Sequence, residues 1–127
     1  MNQGTLNDLT TFLESLRNRL EVGRTWLVEA EAEVAMSRGG MTLGSNVLKV
    51  PHHGSKTSTT DSFLERVSPE IVVISVGSSN PYGHPNPGVL ARLRETVEPA
   101  NIYRTDQHGS IEIVSDGANI WVKTGDR

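Results

Sequence analysis

Four histidines hold most of the chemistry that this 127-residue sequence offers: His52, His53, His84 and His108. Cysteine is absent, which removes thiolate nucleophiles, disulfides and cysteine-based metal sites. Imidazole transfers protons near neutral pH and is the commonest metal ligand, so acid–base work and metal binding remain. The histidines fall in three polar stretches. The first is Pro51-His52-His53-Gly54-Ser55-Lys56. The second is Gly77-Ser78-Ser79-Asn80-Pro81-Tyr82-Gly83-His84-Pro85, and the third Thr105-Asp106-Gln107-His108-Gly109-Ser110. Two adjacent histidines in a glycine-flanked turn can divide their tasks, one ring ligating while the other faces substrate. Ser55, Lys56 and the backbone N–H groups around Gly54 can receive an anion, as phosphate nests do. Asn80 and Tyr82 add neutral donors, and His84 suits an acid or a phosphate contact. Plainer readings exist for each. His52 and His53 can simply cap a turn, although function is the better account of the pair. His84 fits a site or a solvated surface, and His108 reads first as a solvated ring. Asp106 either steadies a histidine ring or caps its own turn.

The elements that must position these stretches alternate between strand and helix. Thr5 to Leu20 reads as a helix with Leu6, Leu9, Leu13, Leu16 and Leu20 on one stripe, capped by Thr5 and ended by Gly23. That stripe covers either the domain's own core or a second copy of the chain. Arg24 to Val28 reads as a short strand and Glu29 to Arg38 as a helix. Its glutamates Glu29, Glu31 and Glu33 sit two apart, so they do not share a face and read as a solvated helix start. Asn46 to Val50 is a strand, and Thr59-Thr60-Asp61 caps a short helix holding Phe63, Leu64 and Val67. Ile71 to Val76 is β-branched enough for a central strand covered on both faces. Asn86-Pro87 opens a helix, Asn101 to Arg104 is a third strand, and Asp116-Gly117 turns a hairpin between Gly109–Val114 and Asn119–Lys123. The fold class is therefore α/β, a mainly parallel sheet with flanking helices and a C-terminal hairpin. Parallel strands joined by helices send the loops after Val50, Val76 and Arg104 to one sheet edge, where ligand sites of open α/β sheets form.

Composition narrows the function classes. The whole chain, 1–127, reads as one domain, and its 35% hydrophobic content allows a core of modest size. Twelve Lys and Arg against 15 Asp and Glu give a net charge of −3, which argues against a nucleic-acid binder held by bulk positive charge. A small local site is still compatible with that balance. The longest apolar run, Ile71-Val72-Val73-Ile74, is far too short to span a membrane. Met1-Asn2-Gln3-Gly4 lacks the pattern of a signal peptide, so the expectation is a soluble chain of unassigned location.

Read in order, several segments resemble one family. They are Glu29-Ala30-Glu31-Ala32-Glu33, Leu48-Lys49-Val50-Pro51-His52-His53-Gly54-Ser55, Ser75-Val76-Gly77, Asn80-Pro81-Tyr82-Gly83-His84-Pro85, and Tyr103-Arg104-Thr105-Asp106 with Gly109-Ser110-Ile111. Over residues 28–125 the chain is similar to the carboxy-terminal part of the metallo-β-lactamase-like domain of ComEC competence proteins. Residues 1–23 stand in place of the first half of that fold. The resemblance implies the second half of a four-layer αββα sandwich and a metal-dependent phosphodiester hydrolase (a nuclease) using Zn or Mn. In that family the domain is attached to a membrane channel for DNA uptake and is thought to degrade the strand not imported. By the same resemblance, His53 matches a metal ligand and His52 the position facing the substrate phosphate. Asn80, Tyr82 and His84 match the loop that closes over the site. Taken with the residue reading above, the candidate site has His52 and His84 as catalytic groups and Ser55, Lys56, Asn80 and Tyr82 as substrate or anion contacts.

Departures from the family pattern temper the activity it implies. No histidine precedes position 52, so the family's His-x-His-x-Asp-His motif is not in this chain. The Gly-Asp that precedes the family's acidic helix aligns with Trp26-Leu27, and leucine cannot ligate a metal. The family's isolated middle histidine is missing too. Only His52, His53, His84, His108 and Asp106 could converge, so the expectation is at most one weakly held ion per chain and little or no nuclease activity. The alternative is a non-catalytic assembly or anion-binding domain that retains the fold. Implied partners are DNA, by resemblance, and a second copy of the chain, from the leucine stripe and the bare edge of half a sandwich.

Overall fold

Ile71–Ile74 forms β2, the middle strand of a three-stranded parallel sheet in the computed structural model, which describes residues 25–40 and 42–125. Its neighbours are β1 (Val47–Lys49) and β3 (Ile102–Arg104), in the order β1-β2-β3. The register pairs Leu48 with Val72 and Val72 with Ile102. Helix α1 spans Thr25–Arg38, α2 spans Asp61–Val67 between β1 and β2, and α3 spans Pro87–Thr96 between β2 and β3. A single helical turn, α4 (Thr105–His108), follows β3. Then β4 (Ile111–Ser115) and β5 (Ile120–Thr124) pair antiparallel as a separate two-stranded sheet.

The helix starts follow from capping. Thr60 accepts a hydrogen bond from Phe63 N–H at the start of α2, and Asn86 accepts one from Gly88 N–H ahead of Pro87 in α3. The sheet and these helices share one apolar cluster. Val72 and Ile74, alternate residues on one face of β2, are fully buried with Phe63, Leu64 and Val67 of α2 and Val89 and Leu93 of α3. Burying each large side chain here contributes about 1.5–3 kcal/mol. Both crossovers therefore pack on the same face, as consecutive right-handed connections require.

Three sequence expectations need correction. The strand expected over Arg24–Val28 is helix from Thr25 onward, where α1 begins. A short run such as Thr-Trp-Leu-Val suits either state, and no Gly or Pro separates it from the helix formers that follow. The central strand is not covered equally on both faces either. Among the described residues, Ile71 and Val73 opposite the core are only half-buried, because the helices that cover β2 all lie on the other side. Finally, the loop after β3 begins with the helical turn α4 rather than an open loop. The expected helix over Thr5 to Leu20 lies outside the described residues.

The hairpin forms where Asp-Gly predicts it. The Asp116 carboxylate accepts from the N–H groups of Ala118 (2.9 Å) and Asn119 (2.7 Å), and Gly117 takes a φ of 93°. These bonds hold the Asp116 carboxyl below the usual carboxylate range, the Asn119 N–H contributing most. Gly125 N–H bonds Ser110 O at 2.7 Å and closes the far end.

Candidate functional site

The chain leaves β1 through Val50, whose N–H still bonds Val73 O, and enters a tight turn at Pro51–Gly54. His52 (φ 47°, ψ 42°) and His53 (φ 53°, ψ 23°) both take left-handed backbone, followed by Gly54 at φ 79°. Left-handed backbone costs a non-glycine residue about 1–2 kcal/mol, so the surroundings must impose it. Several bonds do so. Ser55 N–H bonds His52 O at 3.0 Å, and the buried Ser58 hydroxyl lies 3.1 Å from Pro51 O and 2.9 Å from Ser55 O. Asn86 N–H bonds Gly54 O at 2.8 Å, joining this loop to the start of α3.

A pair of charged groups grips the end of the same loop. Glu33, only 1% exposed, accepts from Thr59 N–H and Thr60 N–H, each at 2.5 Å. From α3, Arg92 donates through Nε to Thr59 O (2.9 Å) and through Nη2 to Ser58 O (3.1 Å). The carboxylate holds the donors and the guanidinium holds the acceptors of one short backbone segment. Thr59 is itself left-handed at φ 58°. Glu33 is therefore not part of a solvated helix start. One sequence signal for it is Met36, three residues on along the same side of α1 and packed on the core.

The second loop is shaped by Asn80. Its Nδ2 donates to Gly77 O (3.0 Å) and His84 O (2.8 Å), and its Oδ1 accepts from His84 N–H (2.9 Å) and Tyr82 N–H (3.3 Å). Both ends of its amide are thus engaged within the loop. The His84–Pro85 peptide is cis. His84 is half-buried, and its ring meets that of His52 edge-on, centroids 6.0 Å apart. Tyr82 stacks on His84 at 5.7 Å and 27°. All three histidine loops are expected to meet at the carboxyl edge of the sheet; the geometry brings the first two together, through His52 and His84. Burial first, then the nearby His52 and His53, pushes the His84 pKa below the usual histidine range. Its Nδ1 is buried and makes no hydrogen bond among the described residues, so the neutral ring is favoured.

His53 is exposed, and its Nδ1 lies 2.6 Å from Ser75 O. Donation to that carbonyl fixes the tautomer and leaves Nε2 as the basic nitrogen, an arrangement typical of a ligating imidazole. Ser55 is buried, its hydroxyl 3.2 Å from that of Thr57, while Lys56 is exposed. In the third stretch, Asp106 and His108 take partners within their own segment. Asp106 holds no histidine: it takes two bonds from the Arg104 guanidinium, at 2.9 and 2.6 Å. His108 Nδ1 lies 3.0 Å from the Arg104 backbone, and the His108 ring sits edge-on to Tyr103. Thr105 matters more than the sequence suggests. Its hydroxyl accepts from Val76 N–H (2.8 Å) and donates to Val76 O (2.9 Å), tying the end of β3 to the strand exit beneath the second loop.

The donor set does not fit a resident metal. Among the described residues, no three His, Asp or Glu side chains are placed to share an ion, whereas stable catalytic zinc takes three protein ligands. His53 has one suitable nitrogen and, among the described residues, no companions placed with it. What the edge does offer is two imidazoles in contact, an exposed lysine and an exposed phenol ring, all suited to an anion with an aromatic or sugar attachment.

Comparison with known proteins adds three relatives. The chain is 36% identical over 94 residues to "ComE operon protein 3" of Bacillus subtilis, covering 71% of this chain and 12% of that protein. It is 40% identical over 80 residues to "Competence protein ComA" of Neisseria gonorrhoeae, covering 63% of this chain and 11% of that one. It is 46% identical over 66 residues to "Recombination protein 2" of Haemophilus influenzae, covering 51% and 8%. The chain spans about an eighth or less of the length of these relatives. No protein-family model and no solved structure matches it.

Proposed function

Because the chain is a homologue of one segment of ComEC-family competence proteins, we propose that it serves DNA uptake by contacting the phosphodiester backbone of a DNA strand. One observation carries this reading: the His52 and His84 rings meet at 6.0 Å, at the sheet edge where α/β proteins bind ligands. Each imidazole can donate to a phosphate oxygen, and the exposed Lys56 adds positive charge nearby. Asn80 and Ser55 act beneath them, shaping the two loops rather than touching substrate. The half-buried outer face of β2 supports a sheet that is one of the two in a four-layer metallo-β-lactamase-like sandwich.

In this reading the chain binds DNA and does not cut it alone. The resemblance implies Zn or Mn, yet the described residues lack the ligands for a stable site. Hydrolysis would need donors from another segment or another chain, with His53 as this chain's contribution. The test follows imidazole NMR signals during titration with a short single-stranded oligonucleotide. His52 and His84 signals should move together and saturate, while His108 signals stay fixed. Uniform movement of all four, or none, would remove the site.

A further inference from the structure

Tyr82 is 77% exposed, more than any other large apolar side chain among the described residues. An aromatic ring in water gains nothing from core packing, and this one is also not loosely held. Its N–H bonds the Asn80 side chain, whose amide spans the loop from Gly77 to His84. The Tyr82 ring lies almost parallel to that of His84, at 27° and 5.7 Å, and His84 meets His52 at 6.0 Å. Three rings therefore run in series from the half-buried histidine pair out to solvent. One side of Tyr82 rests on His84, and the high exposure leaves the other side open.

We propose that the open face of Tyr82 is a platform on which one base of single-stranded DNA stacks, extending the series His52–His84–Tyr82 by one more ring. This inference rests on the phosphate-contact reading above and adds the kind of strand recognised. Stacking on an aromatic ring tolerates any base, because every base has a π face. It requires that base to be unstacked from its neighbours, which a duplex does not offer. The chain therefore prefers single strands to duplexes, despite a net charge of −3 that gives no bulk attraction to either. The ring face rather than the hydroxyl is the contact, so Tyr82→Phe keeps it and Tyr82→Ala removes it.

The experiment measures fluorescence anisotropy of the full chain with three labelled probes: a ten-nucleotide oligothymidylate, an abasic deoxyribose-phosphate strand of the same length, and a ten-base-pair duplex. Wild type and Tyr82→Phe should bind the oligothymidylate about tenfold more tightly than the abasic strand and the duplex. Tyr82→Ala should bind oligothymidylate and abasic strands alike. Circular dichroism confirms that each variant folds, as expected for so exposed a position. Equal wild-type affinity for the oligothymidylate and abasic strands, or a preference retained in Tyr82→Ala, overturns the stacking inference and leaves the phosphate reading standing. Failure of wild type to bind any of the three probes overturns both.

Discussion

Gly54 and Pro85 lock the two histidine loops together: a Cβ placed on Gly54 would lie 2.7 Å from the Cβ of Pro85. Glycine is required there for two separate reasons, the close approach and the φ of 79°. Gly54→Ala should therefore cost about 1–2 kcal/mol for the backbone and about 1–3 kcal/mol for overpacking. It should also part His52 from His84. Urea denaturation gives the first quantity, and loss of contacts between the two rings in NMR gives the second. Wild-type stability in this variant would contradict the packing described.

Glu33 supports the histidine loop from beneath. Glu33→Ala leaves the N–H groups of Thr59 and Thr60 without their acceptor, and each such loss costs about 1–3 kcal/mol. Glu33→Gln retains one carbonyl oxygen and should lose about half as much. The Ala variant should also shift the His52 ring signals, although Glu33 bonds neither histidine. An unchanged His52 environment in a folded Glu33→Ala protein would mean that the loop holds its shape without the carboxylate.

The depressed His84 pKa has a defined consequence for stability. Folding disfavours the charged ring, while in the unfolded chain the ring protonates near its usual value of 6.5. The unfolded state therefore takes up the proton first as pH falls. The contribution of His84 is full above pH 6.5 and is lost as pH falls from there through the lower folded-state value. Urea midpoints measured from pH 8 to pH 5 should decline in wild type, and more steeply than in His84→Gln. Parallel profiles would show that His84 titrates normally.

Apolar surface left open on the described part of the chain predicts self-association. Ile113 is 37% and Trp121 49% exposed on a hairpin that joins no larger sheet, and two-stranded sheets are marginal alone. Light scattering should report a dimer mass that falls toward the monomer on dilution. One monomer mass across a hundredfold concentration range would contradict this.

Much of this arrangement is legible in the sequence because it is local. A β-branched run marks the central strand β2, Thr60 and Asn86 announce their helices, and Asp116-Gly117 announces the hairpin. Parallel topology predicts that all three histidine loops share one edge, and the first two do meet there. What stays hidden depends on partners distant in sequence. Glu33 lies 26 residues from Thr59, and nothing local distinguishes a carboxylate that caps a remote loop from a solvated one. Asp106 goes to Arg104, two residues away, because the bidentate guanidinium contact is there. The left-handed backbone at His52 and His53 has only a weak residue signature, since histidine is enriched there yet seldom adopts it.

In the proposed function the histidine edge binds a DNA strand without cutting it. The most direct test incubates the purified chain with end-labelled single-stranded DNA, with Mn²⁺ or with EDTA, and reads both the bound fraction and strand length. Binding should be saturable, survive EDTA, be lost in the His52→Ala/His84→Ala double variant, and leave the strand intact. Cleavage that requires Mn²⁺ and disappears in His53→Ala would contradict it, and would mean that this chain completes a metal centre after all.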